Sequence, residues 1–192
     1  MDLRFVRTRL GVGIATGAVL MATIATPALG VDTVTQNITG SGLTASVANL
    51  NLADTGYQNG AHAVTGTMVL TADDSTGTGA GWNVTVMSSA FVWVGLASGG
   101  QDIPASAFAL TSASAPTMIS GQPVGVAAAT GPQVPPVSPF GSLATARKVL
   151  SATAAYGSGA YTQDLGVTLT IPAMSRVGSY TGTLTTTITS AP

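Results

Sequence analysis

Apolar and polar positions alternate with period two along much of this chain. In the stretch from Val64 to Thr71, Val64, Gly66, Met68 and Leu70 fall on one face, and Thr65, Thr67, Val69 and Thr71 on the other. Trp82, Val84 and Val86 share a face opposite Asn83 and Thr85. Val167, Leu169 and Ile171 alternate with Thr168 and Thr170, and Tyr180, Gly182, Leu184, Thr186 and Ile188 alternate with a row of threonines. Strict alternation marks half-buried strands. Thr and Val suit them, because β-branching restricts χ1 in a helix yet packs well on a pleated surface. Shorter strands are expected at Gln36 to Ile38, Ala48 to Leu52, Phe91 to Val94, Phe108 to Thr111 and Val149 to Ala154. Asn59-Gly60, Asp73-Asp74-Ser75 and Gly99-Gly100 supply turns between them. No segment has a sustained helical period, and only Ser142 to Leu150 suggests a short helical turn. Strands with one threonine face and one apolar face predict an all-β, antiparallel β-sandwich.

Two segments break the alternation. Residues 1–30 carry Arg4, Arg7 and Arg9, then an apolar run from Leu10 to Ile24, then Pro27 and the small-residue end Ala28-Leu29-Gly30. That is the plan of a cleaved secretory signal peptide. Arg7 and Arg9 are not adjacent, which favours the general secretory route over a twin-arginine one. An uncleaved anchor is the alternative, since Leu10 to Gly30 nearly spans a bilayer. The second segment, Thr111 to Gly141, is rich in Ala, Ser, Gly and Pro, with Pro132, Pro135, Pro136 and Pro139 clustered. Proline cannot donate to a central ladder, so 111–141 is expected to be a long exposed loop or flap. Residues 31–192 then form one sandwich domain.

Composition narrows the chemistry. The whole chain holds no Cys, no Glu, one His and one Lys. Beyond the leader, three cations (Arg147, Lys148 and Arg176) face six aspartates. A weakly acidic chain with scattered cations lacks the footprint of a nucleic-acid binder and the polybasic patch of a lipid binder. Without cysteine there are no disulfides, and stability rests on sheet packing. Catalysis is not expected. His62 stands alone, no Gly-x-Ser-x-Gly elbow is present, and the aspartates fall mostly at turns. No cofactor and no metal site are expected. Asp73 and Asp74 offer hard oxygen atoms, but their spacing suits a turn better than a Ca²⁺ loop. Asn37-Ile38-Thr39 and Asn83-Val84-Thr85 match the glycosylation pattern, and both are discounted for a leader of bacterial type.

The run from Leu70 to Val86, Leu-Thr-Ala-Asp-Asp-Ser-Thr-Gly-Thr-Gly-Ala-Gly-Trp-Asn-Val-Thr-Val, resembles the first motif of the WxL domain. There an Asp turn and a Gly-rich stretch lead into Gly-Trp-x-Leu. Asp102 to Leu110 is similar to the family's next segment. Val167 to Pro192 is similar to its closing hairpin, with Ile171-Pro172, Gly178-Ser179-Tyr180 and a final Ala191-Pro192. The likeness covers most of Thr65 to Pro192. Two positions depart from the pattern: Val84 stands for the leucine of the first motif, and Thr186-Thr187-Ile188 stands where a second Trp-x-Leu belongs.

The resemblance implies a secreted, non-catalytic protein held non-covalently to cell-wall peptidoglycan or a related glycan on a Gram-positive surface. It implies ligand contacts from the motif residues Trp82 and Val84. Trp93, the other tryptophan, is a further candidate because an exposed indole stacks on a sugar face. For both tryptophans the competing role is that of a buried core anchor. The competing function is structural: a surface or adhesive subunit that pairs exposed edge strands with itself or with a protein partner. No membrane contact is expected once the leader is removed.

Overall fold

The structure is a computed structural model that describes residues 35–124, 131–135 and 140–190. The leader expected at residues 1–30 lies outside the described residues. The chain divides into a short unit ending at Asn37 and a compact unit from Ile38 onward, and the fold below belongs to the second. Its regular structure is antiparallel strand, as the alternation predicts, apart from one 3-10 turn at Ala105–Ala107 among the described residues.

The larger sheet contains β1 (Leu43–Val47), β2 (His62–Asp74), β5 (Phe108–Ala113), β6 (Thr117–Gly121), β7 (Gly141–Ser142) and β9 (Gly159–Ile171). Its order is β1-β2-β9-β5-β7, and β6 also pairs with β9. The spine is the β2–β9 pair, in register over its whole length from His62 opposite Ile171 to Asp74 opposite Gly159. A three-stranded sheet packs across from it, with β3 (Trp82–Ser88) in the centre, β11 (Leu184–Ser190) on one side and β8 (Arg147–Ala152) on the other. A two-stranded ribbon joins β4 (Val92–Val94) to β10 (Ser179–Thr181).

The inward faces meet in one core. Met68, Leu70 and Ala72 of β2 and Tyr161, Leu165, Val167 and Leu169 of β9 pack against Trp82, Val84 and Val86 of β3 and Val149, Leu150 and Ala152 of β8. The threonines Thr65, Thr67 and Thr71 face outward. A fully buried Val or Leu contributes roughly 1.5–3 kcal/mol, so these facing rows supply the stability that no disulfide provides.

Several boundaries differ from expectation. Gln36 to Ile38 and Ala48 to Leu52 are not strands, and the first strand is Leu43–Val47. Ser142 to Leu150 is strand, turn and strand, not helix. The run from Tyr180 to Ile188 is two strands in two different sheets, divided at Gly182-Thr183. Gly182 lies so close to the Phe91 ring that a Cβ would sit 3.2 Å from it. The Ser89 hydroxyl accepts the Thr183 N–H at 2.9 Å, and the Ser89 N–H donates to the Thr183 carbonyl, also at 2.9 Å.

The expected flap at 111–141 is corrected in part. Strand β5 runs on to Ala113, and Thr117–Gly121 forms β6, exposed along its whole length but hydrogen-bonded to β9. Gly131, Pro132 and Pro135 are buried, and Gln133 bridges Ser151 of β8. Polar and small side chains hid these pairings, because backbone groups alone make them.

Candidate functional site

The Gly81-Trp82-x-Val84 end of the motif that carries the family resemblance is buried at Gly81, Trp82 and Val84. Trp82 and Val84 are each 0% exposed. The Trp82 indole N–H donates to the Gly157 carbonyl at 2.9 Å, and its ring lies 6.1 Å from that of Tyr161. The glycines around it have a physical cause. Gly81 has φ +74°, and a Cβ there would meet the Ala152 carbonyl oxygen at 2.6 Å. Gly157 has φ +82°, and a Cβ there would meet Trp82 Nε1 at 2.9 Å. Only glycine takes that backbone at so close an approach.

The structure places both expected contact residues, Trp82 and Val84, in the core, where they anchor the sandwich and offer no surface. The position of the missing second motif lies beside the first. Val84 is directly opposite Ile188, and Val86 opposite Thr186, on neighbouring antiparallel strands. Directly opposed residues share a face, so the two motif positions form one cross-strand unit.

Asp73 and Asp74 act as turn formers. The Asp74 carboxylate accepts the Thr76 N–H at 3.0 Å and the Thr76 hydroxyl at 2.6 Å, and Asp73 accepts the Ser75 hydroxyl at 2.9 Å. Asp74 also influences Tyr161. Burial, and then the nearby Asp74 charge, push the Tyr161 phenol above its ordinary value of 10.0.

The opposite end of the β2–β9 spine carries an open cleft of about 700 Å³. Tyr161 pairs with Ala72, ten positions from His62 on β2. At a rise of ~3.3 Å per residue, roughly 30 Å separates the Trp82 anchor from the cleft. Its walls are the β1–β2 connection, the first residue of β2, the end of β9, the turn after it, and β10. Aromatic rings come from Tyr57, Phe91 and Tyr180, and hydrogen-bonding side chains from Asn51, Asp54, Thr55, Gln58 and Ser175. Arg176 is the one cation among the lining residues and Asp54 the one carboxylate. Sequence reasoning missed this cleft because its residues lie far apart along the chain and match no motif.

The β1–β2 connection and the turn after β9 are tied together by hydrogen bonds. The Met174 N–H donates to the Gln58 carbonyl at 3.2 Å, and Thr55 Oγ1 lies 3.2 Å from His62 Nε2. The Ser175 N–H and hydroxyl both donate to the Pro172 carbonyl, at 3.3 and 2.8 Å. The Tyr180 hydroxyl donates to the Arg176 carbonyl at 2.7 Å. His62, the lone histidine, is half-buried at this end, with Nδ1 buried and without a hydrogen-bond partner.

Trp93, the third candidate from the sequence, supports the cleft from behind. It is half-buried, pairs with Tyr180 across the ribbon, and accepts glycines on several sides. A Cβ at Gly100, Gly178 or Gly95 would approach its ring to 2.1, 2.5 or 2.7 Å. Its backbone N–H donates to the Asp102 carboxylate at 2.8 Å. The structure thus separates the three sequence candidates: Trp82 and Val84 lie in the core, and Trp93 braces the Gly178 wall.

Comparison with known proteins agrees with the motif order. The family model for the WxL domain, described as surface cell wall-binding, matches residues 31–192. No curated protein and no solved structure matched the chain. That match spans the whole sandwich, from the first strand through the buried Gly81-Trp82 turn to the closing strand, and the chain belongs to the WxL family of cell-wall-binding surface domains.

Proposed function

We propose that this protein is exported by the leader at residues 1–30 and retained non-covalently on cell-wall peptidoglycan, with the glycan strand seated in the cleft at the His62 end. The observation that carries the proposal is the lining of that cleft. Tyr57, Phe91 and Tyr180 provide apolar faces for the C–H side of a sugar ring, and amide, hydroxyl and carboxylate groups surround them. A volume of about 700 Å³ falls within the range of small-ligand sites. Sugars need that mixture, because each ring has one apolar face and a girdle of hydroxyls. The mechanism is passive: the family is wall-binding, and the cleft holds a polymer in place.

Tyr57 provides the test, since it is 53% exposed and lies outside the hydrophobic core of the sandwich. The full chain should co-sediment with purified peptidoglycan, and Tyr57→Ala should weaken that binding about three- to tenfold, the loss of one aromatic contact. A folded wild-type protein that stays in the supernatant, or a Tyr57→Ala variant that binds as well as wild type, would overturn the proposal.

One observation favours the second function, assembly through edges. Strand β6 is exposed at every position, and Met118 and Ile119 stand out at 41% and 59%. Among the described residues only β9 pairs with it. A free edge with apolar side chains recruits other strands. On this reading the wild type self-associates as concentration rises in sedimentation velocity, and Ile119→Lys restores the monomer. A wild type that stays monomeric at high concentration removes the reading.

A further inference from the structure

We infer that the cleft selects its glycan by N-acetyl groups, and that a small pocket in the cleft wall seats the acetamido methyl. The inference rests on the cleft's being the glycan site and names the sugar substituent read there.

The pocket follows from small residues on both sheets. The inward face of β3 runs Trp82, Val84, Val86, Ser88, so its last position leaves open the space that the other three fill. The inward face of β2 has a glycine at 66, next to Met68. The β1–β2 connection packs onto that glycine: a Cβ on Gly66 would sit 2.7 Å from Leu52 Cδ2 and 3.1 Å from Leu50 Cδ2. What remains is a pocket of about 50 Å³. Leu50, Leu52 and Phe91 line both the pocket and the cleft, which makes the first a side chamber of the second. Sites for whole small ligands begin at roughly 300 Å³. This chamber has room for a substituent and not for a ring.

Its walls are fixed. Phe91 exchanges backbone hydrogen bonds with Ile103, at 2.8 and 3.0 Å, and meets Phe108 edge-on with ring centres 5.2 Å apart. Gly182 lies against the Phe91 ring, and Leu184 adds to the apolar lining. A preformed wall loses little freedom when a ligand settles on it.

Its chemistry is one-sided. Ser88 is the one polar side chain in the lining, is 5% exposed, and spends its hydroxyl hydrogen on the Ser89 carbonyl at 3.0 Å. The side chains therefore offer apolar carbon and one oxygen lone pair. A carboxylate finds no side-chain donor there, and an ammonium leaves most of its three donors unpaired, so each sheds water without replacement. A methyl needs no partner, and its burial is favourable. With the sugar ring held in the cleft against Phe91, Tyr57 or Tyr180, the group that reaches the chamber is a short substituent ending in a methyl. An acetamido group has that form.

Calorimetry with peptide-free glycan strands, released from purified peptidoglycan by an amidase, tests the inference. The strands are used native, de-N-acetylated, re-acetylated with acetic anhydride, and butyrylated with butyric anhydride. The full chain should bind native and re-acetylated strands alike, and de-N-acetylated strands about tenfold or more weakly, the usual discrimination of an apolar pocket. Free amines make the strands cationic and the chain is weakly acidic, so net charge acts against that loss. Butyryl groups overfill the chamber, and those strands should bind as weakly as the de-N-acetylated ones. Leu52→Ala, with an unchanged circular dichroism spectrum, should recover their binding. Equal wild-type binding of all four forms, with Tyr57→Ala weakening each, overturns the inference and leaves the glycan site standing. Full wild-type binding of butyrylated strands, or their continued rejection by a folded Leu52→Ala variant, places the acyl group elsewhere and overturns the pocket. Binding of whole walls but of none of the strands overturns the inference and the glycan seat together.

Discussion

Trp82 makes its contribution through packing and one hydrogen bond. Replacing it with alanine removes a fully buried indole and leaves the Gly157 carbonyl without its donor. The expected loss is about 3–5 kcal/mol, read as a lower urea midpoint. Peptidoglycan binding by the fraction that remains folded should persist, because the cleft lies at the other end of the spine. Loss of binding without loss of stability would restore Trp82 as a contact residue.

Tyr161 predicts a pH effect. Its hydroxyl donates its one hydrogen to the Gln122 carbonyl at 2.7 Å, with the Ser158 carbonyl as a longer, shared acceptor at 3.2 Å. Folding raises its pKa above 10.0, so the unfolded chain gives up this proton first as pH climbs. The stabilisation is complete below pH 10 and fades as pH rises through the raised value. Tyr161→Phe should cost about 1–2 kcal/mol at neutral pH and flatten the decline in stability at alkaline pH. Denaturation curves at several pH values would show both effects, and an unchanged alkaline slope would count against the assignment.

At the scale of the element, the ribbon of β4 and β10 matters most for the site. A Cβ at Gly100 would lie 2.1 Å from the Trp93 ring, so Gly100→Ala forces the indole outward. The expected cost is about 1–3 kcal/mol. The Trp93 indole signal should shift in a nitrogen-correlated NMR spectrum, and that of Trp82 should stay in place. Movement of both signals would mean that ribbon and sandwich are not separable.

The elements also show what alternation can and cannot reveal. Most of β2 and β3 and the last residues of β9, Val167–Ile171, are legible because one face is buried and the other is largely polar, whereas Gly159–Gly166 of β9 escapes the pattern. Strand β8 was displaced in the expectation because it carries a bulge: Val84 pairs with Leu150 and Thr85 with Lys148, which leaves Val149 extra and buries two neighbours in succession. Strand β6 was invisible because all its side chains face solvent and only its backbone is bonded. The candidate site was barely legible. Trp93 could be picked out by its type, but the cleft is assembled from residues 50–58, 91, 103 and 169–181, which only the fold brings together.

Across the whole molecule, the pairings join distant parts of the chain. Strand β3 is held between β8 and β11, and β2 between β1 and β9. Folds dominated by such contacts form slowly, in milliseconds to seconds. Deleting residues 184–192 removes β11 and bares one edge of β3, so the shortened chain should lack near-ultraviolet circular dichroism. A shortened chain that keeps that signal would show β11 to be dispensable.

The central position of β3 also matters during synthesis. Its neighbours are made after it, and the last of them about a hundred residues later. At roughly 5–20 residues per second the ribosome needs several seconds to supply them. Until β8 emerges, Trp82, Val84 and Val86 have no strand of their own sheet to pair with, and until β11 emerges one edge of β3 stays open. On the proposed export, a nascent chain in that condition has the time and the looseness to be threaded through a narrow channel before its own topology locks it shut.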